Sequence, residues 1–190
     1  MVTNSHIHVP IGWDCNTARQ LEREGKRKVA YPFDWTMNTY DSICIILDKG
    51  FSNFLTNFKI GPQTYTQFYE TTGTKSKPLK NVYDYDLQTV IGHDYYDGVD
   101  LQTIRDKYQK RYLRLISDIK SADKITLVGS IPTEKFFNKG MEVYEARLDL
   151  NLRDLLTHEK TIEDVANKVR LLNPNAVIET EEHSVNKMLR

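Results

Sequence analysis

Two residues in this chain make the pair that nucleophilic catalysis by a thiol needs, Cys15 and His93. Cys15 stands in Gly12-Trp13-Asp14-Cys15-Asn16, where a turn runs into residues 16–25. That stretch predicts a short helix, with Ala18 and Leu21 inward and Gly25 at its end. A helix start gathers backbone N–H groups that lack intrahelical acceptors, together with the positive end of the helix dipole. Both favour the thiolate, which is the nucleophilic form. The Cys15 N–H would also suit an oxyanion site. The plainer role of such a residue is a small buried apolar side chain. His93 follows the extended run Leu87–Gly92. A base at a strand end, opposite a helix-borne Cys, is the usual arrangement of partners distant in sequence. The plainer alternative is a strand-end histidine making one hydrogen bond.

Other residue types suggest less. His6 and His8 are two apart on an expected strand and so face one side. With His93 or a carboxylate as third ligand they would make a metal site, but no HExxH motif or acidic cluster accompanies them. Cys44 lies beside Ile43 and Ile45 in an apolar helix face and reads as core. Arg105, Lys107, Lys110, Arg111, Arg114 and Lys120 give residues 101–120 a basic outer side. A solvated face is the default for such a run, and an anionic substrate or partner is the minor reading. No GxGxxG, Walker loop or GxSxG occurs, so nucleotide binding and serine hydrolysis have no motif behind them.

The elements that must position these residues form an irregular alternation. Strands are expected at 5–11, 124–129, 141–150 and 176–178, a strand or hairpin arm at 82–92, and a short strand around 65–69 inside a loop over 61–80. Helices are expected at 16–25, 40–58 and 101–120, and from Thr161 to Asn173. Helix 40–58 shows Ile43, Ile46, Leu47, Phe51, Phe54, Leu55 and Phe58 on one face, although Gly50 interrupts it. Helix 101–120 buries Leu101, Ile104, Tyr108, Tyr112, Leu115, Ile116 and Ile119, with Asp100 as cap. Thr161 and Asp164 form a variant capping box. Residues 181–190 read as a polar tail. The pattern fits α/β or α+β.

Composition bounds the function classes. At roughly 100–200 residues per domain, 190 residues make one domain spanning 1–190. Lys plus Arg equals Asp plus Glu at 26 each, which argues against a dedicated nucleic-acid binder. Two cysteines in no paired spacing argue against a disulfide scaffold and a Cys-rich zinc module and fit a reducing, cytoplasmic setting. The N-terminal residues lack a basic and apolar leader, and no apolar run is long enough to span a membrane.

The order of motifs resembles a known family. Ile11-Gly12-Trp13-Asp14-Cys15 with Ala18 and Leu21 is followed by Arg27, by Tyr31-Pro32-Phe33-Asp34-Trp35, and by Phe51 and Phe54. Then come His93-Asp94-Tyr95, and Tyr108, Arg111 and Arg114 ahead of a hydrophobic strand. This order, over residues 5–130, resembles uncharacterised proteins described as papain-like cysteine peptidases. Tyr-Pro-Phe-Asp-Trp is its most specific part. The resemblance implies an α+β papain-like fold, with a helix-borne Cys packed on a mostly antiparallel or mixed sheet. It makes Cys15 the nucleophile and His93 the base. Papain-like enzymes usually hold the imidazole with an Asp or Asn. Here Asp34 is favoured, with pairing to Arg27 and capping of the turn before helix 40–58 as its two other uses, and Asp94 stands behind it. No Gln or Asn upstream of Cys15 is clearly placed for an oxyanion role.

The sequence therefore predicts a cysteine-dependent hydrolase, a peptidase, amidase or acyltransferase, acting on a peptide, amide or ester through an acyl-enzyme. It implies no cofactor, metal or membrane partner. Two rivals stand beside it: a non-catalytic binding domain that uses its basic and aromatic surface, and a metal hydrolase built on His6, His8 and His93. Residues 131–190 are expected to extend the same domain.

Overall fold

Three parallel strands make the sheet from which the Cys15 helix departs. The computed structural model describes residues 5–185 apart from 14, 67, 70–73 and 76. Strand β1 (His6–Pro10) leads through the Gly12-Trp13 turn to helix α1 (Cys15–Arg23). A 3-10 turn at Pro32–Trp35 runs into β2 (Thr36–Met37) and α2 (Tyr40–Lys49). Strands β3 (Phe58–Tyr65), β4 (Phe68–Tyr69), β5 (Thr74–Lys75), β6 (Leu79–Asp84) and β7 (Thr89–Ile91) follow. The chain continues through α3 (Leu101–Ser121), β8 (Lys124–Pro132) and α4 (Glu134–Leu148), then α5 (Ile162–Leu172) and β9 (Val177–Val185). One sheet has the order β1-β8-β9, all parallel, with His6 opposite Lys124 and Lys124 opposite Val177. The second, β2-β7-β6-β3, is antiparallel. The fold is thus α+β.

Strand alternation explains how the second sheet serves two cores. Val82 and Ile91 face the main core, which they share with Val9, Ile11, Ile125 and Leu127 and with the inward faces of α2, α3 and α5. Their neighbours Tyr83 and Val90 face the other way, onto Met141 and Leu148 of α4 and onto Trp13. The second core therefore reaches the turn just ahead of Cys15.

Several expectations are corrected. Helix 40–58 stops at Lys49, because Gly50 takes φ 68 and closes the helix with its N–H on the Ile46 carbonyl. Phe51, Phe54 and Leu55 still reach the core, from turns rather than from a helix. The loop expected over 61–80 begins inside β3, and the short strand near 65–69 becomes one arm of the β4–β5 pair. Residues 141–150, expected as a strand, fall largely in α4. Their alternation hides the helical spacing of Met141, Tyr144 and Leu148, of which Met141 and Leu148 are fully buried. The tail expected at 181–190 continues β9 as far as Val185, and its last five residues lie outside the described ones. Asp100 caps α3, and the Thr161–Asp164 capping box forms in both directions.

Candidate active site

The turn that delivers Cys15 is fixed from below by β8. The Trp13 N–H donates to Ser130 Oγ at 3.0 Å. A Cβ on Gly12 would lie 2.1 Å from Thr17 Oγ1 and 2.5 Å from Ser130 Oγ, so only glycine lets the turn sit this close to both. Asn16, Thr17, Ala18 and Leu21 bury the inner face of α1. Cys15 and Arg19 are half-buried on another face, four residues apart and hence neighbours. Gly12→Ala is expected to displace this turn and cost about 2 kcal/mol or more. Urea denaturation checks the loss, and thiol-labelling kinetics should show altered Cys15 reactivity in the fraction that folds.

Arg27 ties α1 to the Pro32–Trp35 turn. Its Nε donates to the Ala18 carbonyl at 3.1 Å, and its Nη2 lies 2.8 Å from Glu22. Its Nη1 meets Asp34 Oδ2 at 2.6 Å, with both side chains buried. Asp34 is fully buried, and its Oδ1 has no hydrogen-bond partner among the described residues. Burial pushes its carboxyl up to about 6, against the downward pull of Arg27 and of the Tyr31 N–H. Of the uses the sequence left open for Asp34, the structure shows the pairing with Arg27.

Trp35, next in that turn, is where α1 and His93 converge. The Arg19 guanidinium lies 5.6 Å from the Trp35 ring centroid. The His93 ring meets the same indole edge-on at 5.5 Å. His93 sits in a bend just past β7 rather than in the strand itself, so strict alternation of faces does not govern His93 and Asp94. Asp94 accepts from Lys107 Nζ and, at 2.8 Å, from the Tyr108 hydroxyl, both on α3. Burial lowers the His93 pKa to about 4, and Arg19, Lys107 and Arg147 push the same way while Asp94 opposes them. The imidazole is therefore neutral at pH 7 and a weaker base than a free histidine.

Two openings flank this arrangement. A pocket of about 180 Å³ lies past the C-terminal ends of β1 and β8, lined by Trp13, Tyr40, Ser130, Phe137 and His158 among others. The carboxyl end of parallel strands is a common place for a ligand crevice. A groove of about 340 Å³ is lined by His93, Asp94, Lys77, Tyr96, Thr103 and Lys107.

Sequence reasoning missed Arg19, Ser130, Phe137 and His158. Arg19 carries a readable signal, since it stands four residues from a helix-start Cys. Phe137 and His158 belong to the segment read only as an extension, and nothing local marks them. His158 packs against Trp13 and Phe137, with ring centroids 6.1 and 5.4 Å away. The metal reading gains no support: the His6 and His8 rings lie 4.2 Å apart, and His6 Nε2 bonds Thr126 Oγ1 at 2.8 Å. No group of three or more His, Cys, Asp or Glu gathers as metal ligands among the described residues. Three of the six basic residues of α3 are committed. Arg105 caps the Phe54 and Leu55 carbonyls, Lys107 pairs with Asp94, and Arg114 donates to the Ala30 carbonyl. No helix among the described residues is long and apolar enough to cross a membrane.

No solved structure matches the chain. An uncharacterized protein, R408, of Acanthamoeba polyphaga mimivirus is 25% identical over 139 residues, which is 67% of this chain. The chain spans 62% of that relative's length. A family model described as "Putative papain-like cysteine peptidase (DUF1796)" matches residues 6–159, from β1 to just past His158, and the chain belongs to that family.

Proposed function

We propose that this protein is a cysteine-dependent acyl-transfer enzyme, a hydrolase of peptide, amide or ester bonds with a papain-like arrangement. Cys15 is its nucleophile and His93 its general base. The observation that carries this reading is the convergence on Trp35, where Arg19, one turn along from Cys15, and His93 approach the same indole. The Cys15 thiol gives its proton to neutral His93 as sulfur bonds to the substrate carbonyl carbon. The first turn of α1 supplies backbone N–H dipoles for the developing oxyanion. The imidazolium then protonates the leaving group, and water, activated by the same His93, releases the acid and regenerates the thiol. Asp94 supports the imidazolium through its charge, and Asp34 holds the Trp35 turn in place through Arg27. Neither thiol is in a disulfide, as a reducing cytoplasmic setting would keep them.

Iodoacetamide tests the reading directly. Cys15 is expected to alkylate at least about tenfold faster than free cysteine at pH 7, with His93→Ala removing the advantage. Cys44 is the internal control. It is buried in the core, and burial pushes its thiol up to about 11, so its labelling should be slower than that of free cysteine by about a hundredfold. A Cys15 rate no higher than that of free cysteine, or one indifferent to His93→Ala, sinks the proposal.

A further inference from the structure

Three cations in the surroundings of His93 rest on aromatic rings, whereas a fourth, Lys107, is paired with Asp94. Arg147 lies over Tyr65 with Cζ 4.0 Å from the centroid, Lys77 over Tyr96 with Nζ at 4.3 Å, and Arg19 over Trp35. None of the three makes a salt bridge among the described residues. All three rings belong to the surroundings of His93. Trp35 touches its imidazole, and Tyr96 lines the same groove as His93 and Lys77. The Tyr65 hydroxyl lies 3.4 Å from where a Cβ on Gly92, the preceding residue, would stand. Arg147 is placed deliberately: a Cβ on Gly61 would fall 2.0 Å from the Arg147 carbonyl oxygen, so the end of α4 packs on β3 only because residue 61 is glycine.

A cation resting on a ring is positioned without spending its hydrogen-bond donors on a carboxylate. Arg19 and Arg147 both act on the His93 charge and Lys77 lines its groove, so like charges surround this histidine and an anion there would relieve their repulsion. The nearby Asp94 is already engaged by Lys107 and Tyr108. We propose that Arg19, Arg147 and Lys77 form an anion subsite, and that the compound Cys15 acts on carries a carboxylate close to the carbonyl under attack. A monoanion fits better than a phosphate dianion, because Asp94 shares the groove. This inference rests on Cys15 being the nucleophile, and it names the substrate class for that site.

Two alkylating reagents that differ only in a carboxylate test it. Each forms the Cys15 Sγ–CH2 bond as iodide leaves. Iodoacetate is expected to gain at least about tenfold over iodoacetamide at Cys15, relative to their ratio on free cysteine. The gain should shrink in 0.5 M KCl, where screening shortens to a few ångströms. It should be lost in Arg19→Gln and Arg147→Gln and kept in Arg19→Lys, with circular dichroism confirming that each variant folds. A free-cysteine ratio at a fast-reacting Cys15 overturns the subsite while leaving the nucleophile intact. Slow labelling by both reagents instead overturns the nucleophile, and the subsite is then decided by titrating acetate against the His93 imidazole resonances. A saturable shift that Arg19→Gln abolishes keeps the subsite, and no shift removes it.

Discussion

Replacing Arg27 with methionine is expected to destabilise the fold by about 3–5 kcal/mol at pH 7.5, because it leaves a buried charge without its partner. Asp34 has no exposed surface, and one of its oxygens already lacks a hydrogen bond among the described residues. The short Arg27–Asp34 contact suggests a strongly held carboxylate, yet burial still leaves its pKa at about 6. Desolvation therefore outweighs the ion pair, as it commonly does for buried pairs. The sign of the pH dependence follows. A carboxyl raised from 3.8 to about 6 binds its proton more tightly in the folded state. Its contribution to stability is greatest below 3.8 and falls by roughly 3 kcal/mol as pH rises through 6. Removing Arg27 raises the carboxyl further, so the loss deepens above pH 6 and shrinks near pH 5, where Asp34 is already neutral in the wild type. Adding Asp34→Asn to Arg27→Met should recover part of the loss at pH 7.5 and little at pH 5. Urea denaturation at the two pH values measures all of this. A loss below about 1 kcal/mol, or one equal at both pH values, would contradict it. Arg27 also lies 6.0 Å from the Trp35 centroid, so the variant should loosen the ring on which Arg19 and His93 meet.

Much of this arrangement is legible in the sequence where local rules govern it. A turn before an amphipathic stretch gives α1, an Asp before an apolar stripe gives α3, and Thr161 with Asp164 gives the start of α5. Cys15 and His93 stand out because few residue types can do thiol chemistry. Tertiary context decided the rest. The apolar face continues past Gly50, but a positive φ at Gly50 ends the helix, so Phe51, Phe54 and Leu55 are buried from turns and Phe58 opens β3. The segment 141–150 alternates as a strand would, yet it pairs with no other strand. Its Met141 and Leu148 instead pack onto the reverse face of the antiparallel sheet. The partners of Asp34 and Asp94 depend on where Arg27 and α3 lie, which spacing alone does not give. The cation–ring pairs around His93 join residues as far apart as Arg147 and Tyr65. Such pairs leave no local signature.

Replacing His93 with alanine is expected to lower turnover of an activated ester such as 4-nitrophenyl acetate by about 10²–10⁴-fold, the usual contribution of a positioned base. In the proposed mechanism His93 must be neutral to accept the Cys15 proton, and burial with the nearby cations holds its pKa at about 4 rather than 6.5. The acid limb of kcat/KM is thus expected near pH 4, with a flat region from about 5 upward until the alkaline groups titrate. Neighbouring charges move that limb in opposite directions. Arg19 disfavours the imidazolium, so Arg19→Gln should shift the limb up towards 6.5. Asp94 favours it, so Asp94→Asn should shift the limb down. The same linkage reaches stability. A histidine depressed in the folded state contributes fully above 6.5 and loses that contribution as pH falls towards 4. A low pKa also makes His93 a weak base at rest, and the proposed transfer requires its affinity for the proton to rise as the thiol ionises. That rise is Coulombic, from the new negative charge on Cys15. Kinetics in Cys15→Ser measure its importance, because an alkoxide is far harder to form than a thiolate. Residual turnover should then fall nearly as far as in His93→Ala, and adding the second substitution to the first should cost little more. A limb near 6.5 in the wild type would mean that burial and the cations do not hold His93 down, and fully additive losses in the double variant would mean that the two residues do not work as one proton-transfer unit.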